Sequence, residues 1–120
     1  MLTLPPSVRV FVHLGPTDMR RSFDGLAAMT QEIIKQDPLS GHLFAFFNRR
    51  RDRVKILFWD RTGLCIWYKR LEDGLFKLPL PGEQNQCNIE INSADLSLIL
   101  EGIDLSGAKR HKRYSLRRSA

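Results

Sequence analysis

Four arginines, Arg49, Arg50, Arg51 and Arg53, fall within five positions, and the residues around them predict the tip of a hairpin. A guanidinium at such a tip reaches phosphate oxygens with two parallel N–H donors, a contact that a lysine ammonium does not reproduce. Asp52 offsets part of this charge, and without a ligand the same loop reads as a solvated, aggregation-resistant turn. A second pair, Arg20 and Arg21, is expected in the first turn of a helix, where the dipole disfavours cations by roughly a few tenths of a kcal/mol. Arginines placed against the dipole call for a partner, either Asp24 or an external phosphate. A third group, Lys109, Arg110, Lys112, Arg113, Arg117 and Arg118, lies in 106–120 with no acid between its members. Six cations on a flexible segment attract any polyanion, strongly but without selectivity. These three groups are the candidate nucleic-acid contacts.

Other chemistries are poorly served. Asp18, Asp24, Asp52, Asp60 and Asp73 could in principle bind a divalent metal for phosphoryl transfer, but two-metal sites need carboxylates that converge on rigid elements. Asp18 and Asp24 have a poor spacing for one helix face, and the others stand where turns commonly use Asp. His13, His42 and His111 are far apart, with no Cys or Ser partner in a nucleophilic motif. Cys65 and Cys87 lack metal-ligand neighbours and are expected to be reduced, buried or half-buried small hydrophobes. No catalytic residue, metal site or cofactor is therefore expected. Trp59, Trp67 and Tyr68, interleaved with Lys55, Lys69 and Arg70, could stack on single-stranded bases, although packing beneath a helix is the better reading.

What must position these residues is one domain. A chain of 120 residues buries about two-thirds of its unfolded surface, enough for a core without staples. Hydrophobic content of 42% and charged content of 27% exclude disordered, collagen-like or coiled-coil chains. Of 19 basic residues six lie in 106–120, so the 13 that remain are balanced by the 13 acids of the body, and the tail holds the whole surplus of +6. Such a tail favours nucleic acid over an anionic membrane. Met1 to Pro6 lacks a basic region and the next apolar run is broken by Arg9 and His13, so no export signal or membrane span is expected and the setting is cytoplasmic.

Val8, Val10 and Val12 alternate as in a strand with one buried face, which Gly15 and Pro16 end. Thr17 or Asp18 can cap a helix in which Phe23, Leu26, Ala27, Met29, Thr30, Ile33 and Ile34 form the apolar stripe, with Gly25 permitting close approach to a sheet. Leu43 to Phe47, Val54 to Trp59 and Leu64 to Lys69 read as an antiparallel meander in which neither face is cleanly polar. Asn88 to Ile91 suits one more strand, and Asn92 or Ser93 caps a last helix that Gly102 closes. The expectation is an α+β fold: an antiparallel sheet of about five strands with two helices over residues 1–105, then a flexible basic tail over 106–120.

The strings TDMRRSFDGLA from Thr17, GHLFAFFNRRRDRVKILFWDRTGLCIWYKRLEDGLF from Gly41 and LILEGIDL from Leu98 resemble the TnpB accessory proteins, encoded by the second reading frame of IS66-type insertion sequences. The likeness runs from about Val8 to Leu105. It is distinct from the RNA-guided nuclease also called TnpB, whose layout this short chain lacks. The resemblance implies a protein of bacterial mobile elements that works beside a separate transposase and a second small accessory protein, and it carries no catalytic residues. Positions matching the family pattern are Thr17 to Arg21 and Phe23 to Leu26, then Gly41 to Phe44, then Glu101 to Asp104. Phe47, Asn48 and Leu105 depart from it.

The expected function is thus a non-enzymatic accessory of DNA transposition that contacts DNA, the transposase, or both; a homo-oligomer is compatible with the chain. The rival is a pure protein-interaction subunit whose tail serves solubility, and a small metal-dependent nuclease is the remote third. Replacing Arg49, Arg50 and Arg51 together is expected to leave the fold intact.

Overall fold

The computed structural model describes residue 5, residues 7–79 and residues 87–102. Five strands form one sheet: β1 (Val10–His13), β2 (Leu43–Phe47), β3 (Arg53–Trp59), β4 (Leu64–Arg70) and β5 (Asn88–Ile91). Two helices, α1 (Phe23–Met29) and α2 (Ser93–Leu100), complete the set, and α1 runs on into a π-helical segment, Thr30–Ile34. The strand order is β4-β3-β2-β1-β5. The expected strands and helices are therefore present, with one difference: β1 pairs with β2 in parallel, Val10 opposite Leu43, so the sheet is mixed. A parallel neighbour needs a crossover longer than a hairpin, and α1 supplies it. The other three pairings are antiparallel.

The absence of a polar strand face has a simple cause, since α1 and α2 cover opposite faces of the sheet. Val10, Val12, Leu43, Ala45, Phe47, Val54 and Ile56 pack with Leu96, Ile99 and Leu100 of α2 and with Phe76. Alternate residues Phe11, Phe44, Phe46 and Leu57 pack with Leu26, Met29 and Ile34 on the α1 side. All residues of β1 and β2 are buried, so β1 has two covered faces rather than the single one its alternation suggested. Such central strands read as continuous apolar runs for this reason. Trp67 packs at the edge of the α2-side core, whereas Tyr68, its neighbour on β4, is exposed, so these aromatics do not form one platform.

The last helix follows its sequence signals. Asn92 caps α2 by accepting the Asp95 N–H at 2.7 Å, and the Lys69 ammonium donates to the Leu100 carbonyl at 3.0 Å near its other end. Gly102 follows at φ +84°, a left-handed conformation that glycine adopts without strain.

The first helix does not. It starts at Phe23, after Ser22, and Asp18 is not its cap. Phe23, an expected sheet anchor, is 44% exposed, and Leu26 does the anchoring. Gly25 packs against Arg21. A Cβ there would stand 3.3 Å from Cβ of Arg21, so the glycine makes room for an arginine. Neither cysteine forms a disulfide among the described residues, and Cys87 is exposed rather than buried. Residues 103–120 lie outside the described residues, and with them the boundary at 105, the tail cations and the end of the third motif.

Candidate nucleic-acid interface

Two segments that are distant in sequence meet at one end of the sheet. The chain leaving β1 turns through Pro16–Ser22 before α1, and the β2–β3 loop spans Asn48–Asp52. The Thr17 N–H donates to the carbonyl of Phe47 at 2.8 Å, which ties the first segment to the base of the loop. Lys55 on β3 then donates to the carbonyls of Met19 and Arg21, each at 2.8 Å. Its ammonium also lies 4.8 Å from the centre of the Tyr68 ring, its cross-strand neighbour. The half-buried Lys55 thereby braces a turn whose own backbone bond runs from the Arg21 N–H to the Asp18 carbonyl at 3.1 Å.

Asn48 organises the loop. Its Oδ1 accepts from the N–H groups of Asp52 and Arg53, both at 3.0 Å, while its Nδ2 donates to Asp52 Oδ1 at 2.7 Å. This bond is the leading cause of an Asp52 carboxyl held below its usual pKa. Asn48, which departs from the family pattern at the sequence level, is thus the residue on which the loop geometry depends.

The arginines divide into distinct roles. Arg49 and Arg50 are exposed, with Arg50 Nε only within 3.9 Å of Asp52. Arg51 instead takes a left-handed backbone (φ +64°) and turns its guanidinium inward to the Leu14 carbonyl at 3.2 Å, while its own carbonyl accepts from Phe76. The expectation that Arg51 is an exposed loop residue is therefore corrected, and replacing it with Arg49 and Arg50 would disturb the packing of the loop. Arg53 donates to the Tyr68 hydroxyl at 3.1 Å and borders both Arg70 and Glu72 on one side and Arg49 and Arg50 on the other.

Arg20 and Arg21 precede the helix instead of occupying its first turn, so the dipole argument for them falls. The Arg20 partner is Asp18 rather than Asp24: its Nη2 donates to Oδ2 at 2.7 Å, its Nε bridges both carboxylate oxygens, and its backbone N–H donates to Oδ1. A short local ring of this kind is what an Asx turn followed by arginine produces. It lowers the Asp18 pKa to about 2, through the Arg20 side-chain bond first and its backbone bond second. Carboxyl NMR titration of Asp18 should therefore give a midpoint near 2, and R20A should raise it toward the ordinary value. Because the folded-state pKa is depressed, this contribution is present at neutral pH and disappears as pH falls from about 4 to about 2.

Two clefts flank the junction. One, of about 490 Å³, lies between the loop and the helix, with Arg21, Arg49, His13 and Thr17 in its walls. The other, of about 400 Å³, is lined by Thr17, Asp18, Arg49, Arg50 and Arg53. Thr17, Asp18 and Arg49 belong to both. Thr17 is 4% exposed, and its Oγ1 is the buried side-chain polar atom without a partner among the described residues. Such an orphan costs about 1–3 kcal/mol. His13 and Thr17 are not legible as site residues in the sequence, where one is the last residue of an apolar strand and the other a plausible helix cap. Among the described residues no three of His, Cys, Asp and Glu gather as a metal site, and no helix is long and apolar enough to cross a membrane.

Residues 8–110 match the family described as IS66 Orf2 like protein. The chain is 40% identical over 104 residues to the uncharacterized protein y4hO of Sinorhizobium fredii (strain NBRC 101917 / NGR234), covering 87% of this chain and 88% of that one. To the uncharacterized protein y4jC of the same strain it is 32% identical over 103 residues, 86% of each chain. No solved structure matches. On this match and these two relatives, the chain belongs to the IS66 Orf2 like family of transposition-associated accessory proteins.

Proposed function

We propose that this chain is a non-enzymatic accessory that presents DNA to the separate transposase of its element, gripping the duplex backbone through Arg20, Arg21, Arg49, Arg50 and the basic tail. Residues 1–105 act as the folded unit, 106–120 as the tail, and the setting is cytoplasmic. The supporting observation is the juxtaposition of the Pro16–Ser22 turn with the arginine loop, tied by the bond from Thr17 N–H to the Phe47 carbonyl. That arrangement gathers cations from two segments around shared clefts. Guanidinium groups so placed position a phosphate backbone without reading bases.

Replacing Arg20, Arg49 and Arg50 with Ala tests the reading. The Arg20 and Arg50 side chains are 90% and 81% exposed, so the changes should leave the fold intact. Duplex affinity should fall for all sequences alike, and the slope of log affinity against log salt should flatten by about 0.9 for each phosphate that is no longer neutralised. Wild-type affinity in the triple variant would overturn the assignment. A protein-interaction role has its own support: Phe23 and Ile33 are 44% and 42% exposed on the helix and its π-helical continuation. Retained transposase binding in a chain with no DNA affinity at low salt would favour that role.

A further inference from the structure

The larger cleft contains groups that surface binding of a duplex does not require. His13 closes β1 and is 7% exposed, and its Nδ1 lies 2.7 Å from Oδ1 of Asn88 on β5. Asn88 Nδ2 donates at 3.1 Å to the carbonyl of Ile33 in the π-helical segment, which fixes the amide with its oxygen toward the imidazole. The proton of that contact therefore sits on His13 Nδ1. Nε2 is left for other partners. It lies on the Gly15 side, where a Cβ at residue 15 would stand 3.0 Å from it. The strand end, the edge strand and the irregular turn of the helix thus combine to hold one ring nitrogen in place. Within the same walls stand Arg21, Arg49 and Thr17, whose hydroxyl has no partner among the described residues. The carboxylate of Asp18, also in the wall, is already paired with Arg20.

Two guanidinium groups and an unpaired hydroxyl make a set of donors for a tetrahedral oxyanion, and Nε2, unprotonated because the ring proton sits on Nδ1, accepts from a P–OH. We propose that this cleft binds a single, singly protonated phosphate group, held by Arg21 and Arg49, with Thr17 Oγ1 donating to a phosphate oxygen and His13 Nε2 accepting from the P–OH. The inference rests on the DNA-contact reading for its biological setting and shares Arg21 and Arg49 with it, while Thr17 and His13 belong to the phosphate cleft alone. A free nucleotide and the end of a DNA strand offer the same group.

The test is NMR and calorimetric titration of the full chain with inorganic phosphate, a nucleoside 5′-monophosphate, and one short duplex with and without a 5′-phosphate. Binding in the cleft should shift the His13 ring nitrogens and the Arg21 and Arg49 Nε signals. Tighter binding of the phosphorylated duplex identifies a strand end as the source, whereas equal duplex binding with nucleotide-induced shifts identifies a free nucleotide. Thr17→Val should weaken phosphate binding by about tenfold or more, as expected for one hydrogen bond to a charged group, without lowering the melting temperature of the free protein. Thr17→Ser should bind as wild type, so a misfolded valine variant cannot rescue or sink the idea. Phosphate shifts that avoid His13, or serine and valine variants that bind alike, would overturn it even if duplex binding persists. Phosphate binding in the cleft without duplex affinity would uphold it while the DNA-contact reading fails.

Discussion

Between 50 and 200 mM salt the basic tail alone is expected to weaken duplex DNA binding by roughly 10³-fold. The size of the effect follows from the charge distribution. Lys109, Arg110, Lys112, Arg113, Arg117 and Arg118 supply the whole net charge of +6, and each cation that neutralises a phosphate releases condensed counterions. Six such pairings give a slope of log affinity against log salt near −5. Removing 106–120 should leave the smaller slope that Arg20, Arg21, Arg49 and Arg50 can sustain, up to roughly −4 if all four engage. Fluorescence anisotropy of a labelled duplex across a salt series measures both slopes. An unchanged slope after truncation would place the interaction wholly on the folded body, and no binding in low salt would remove DNA from the account.

The second large effect is on stability. Phe44→Ala should cost about 3–5 kcal/mol, measured as a lowered urea midpoint at nearly unchanged m-value. Phe44 is wholly buried in β2 and stacks on Phe11 of β1, with ring centres 5.6 Å apart and planes 15° from parallel. It sits in the core shared with Leu26, Met29 and Leu57, so its removal opens a cavity under α1 where three elements meet. Domains of this size are stable by roughly 5–15 kcal/mol, so a large part of the folded population is at stake. A cost below about 1 kcal/mol would mean that the sheet and α1 collapse onto the gap more freely than a close-packed interior allows.

Much of this architecture is legible in the sequence because local chemistry and global packing agree. The meander can be read from three aromatic and β-branched runs joined by short turns, and Asn92 and Gly102 delimit the last helix by side-chain and backbone chemistry at single positions. The start of α1 is not legible. Asp18 has the character of a cap, yet its carboxylate is consumed by Arg20 two residues on, an arrangement with the same sequence signature as a cap. The parallel pairing of β1 with β2 is hidden as well, since periodicity reports which faces are covered and not which strand lies alongside. For the site, composition locates the arginines but not their directions. Arg51 turns inward because the loop needs a left-handed residue there and a donor for Leu14, and neither demand is visible in a run of identical side chains. His13 and Thr17 gain their interest only when Asn88, from the far end of the chain, comes alongside.

The order of strands also sets an order of events in folding. β2, β3 and β4 are neighbours in sequence and can close as a local meander, whereas β1 must await Leu43 on one side and Ile91 on the other. Closing those longer loops costs more entropy before any pairing repays it. During synthesis the apolar face of Val10, Val12, Val54 and Ile56 therefore stays bare until residues 93–100 emerge to cover it. β5 and α2 act as the latch of the nascent domain. With β5 comes Asn88, so the imidazole of His13 acquires its fixed direction only in this closing step.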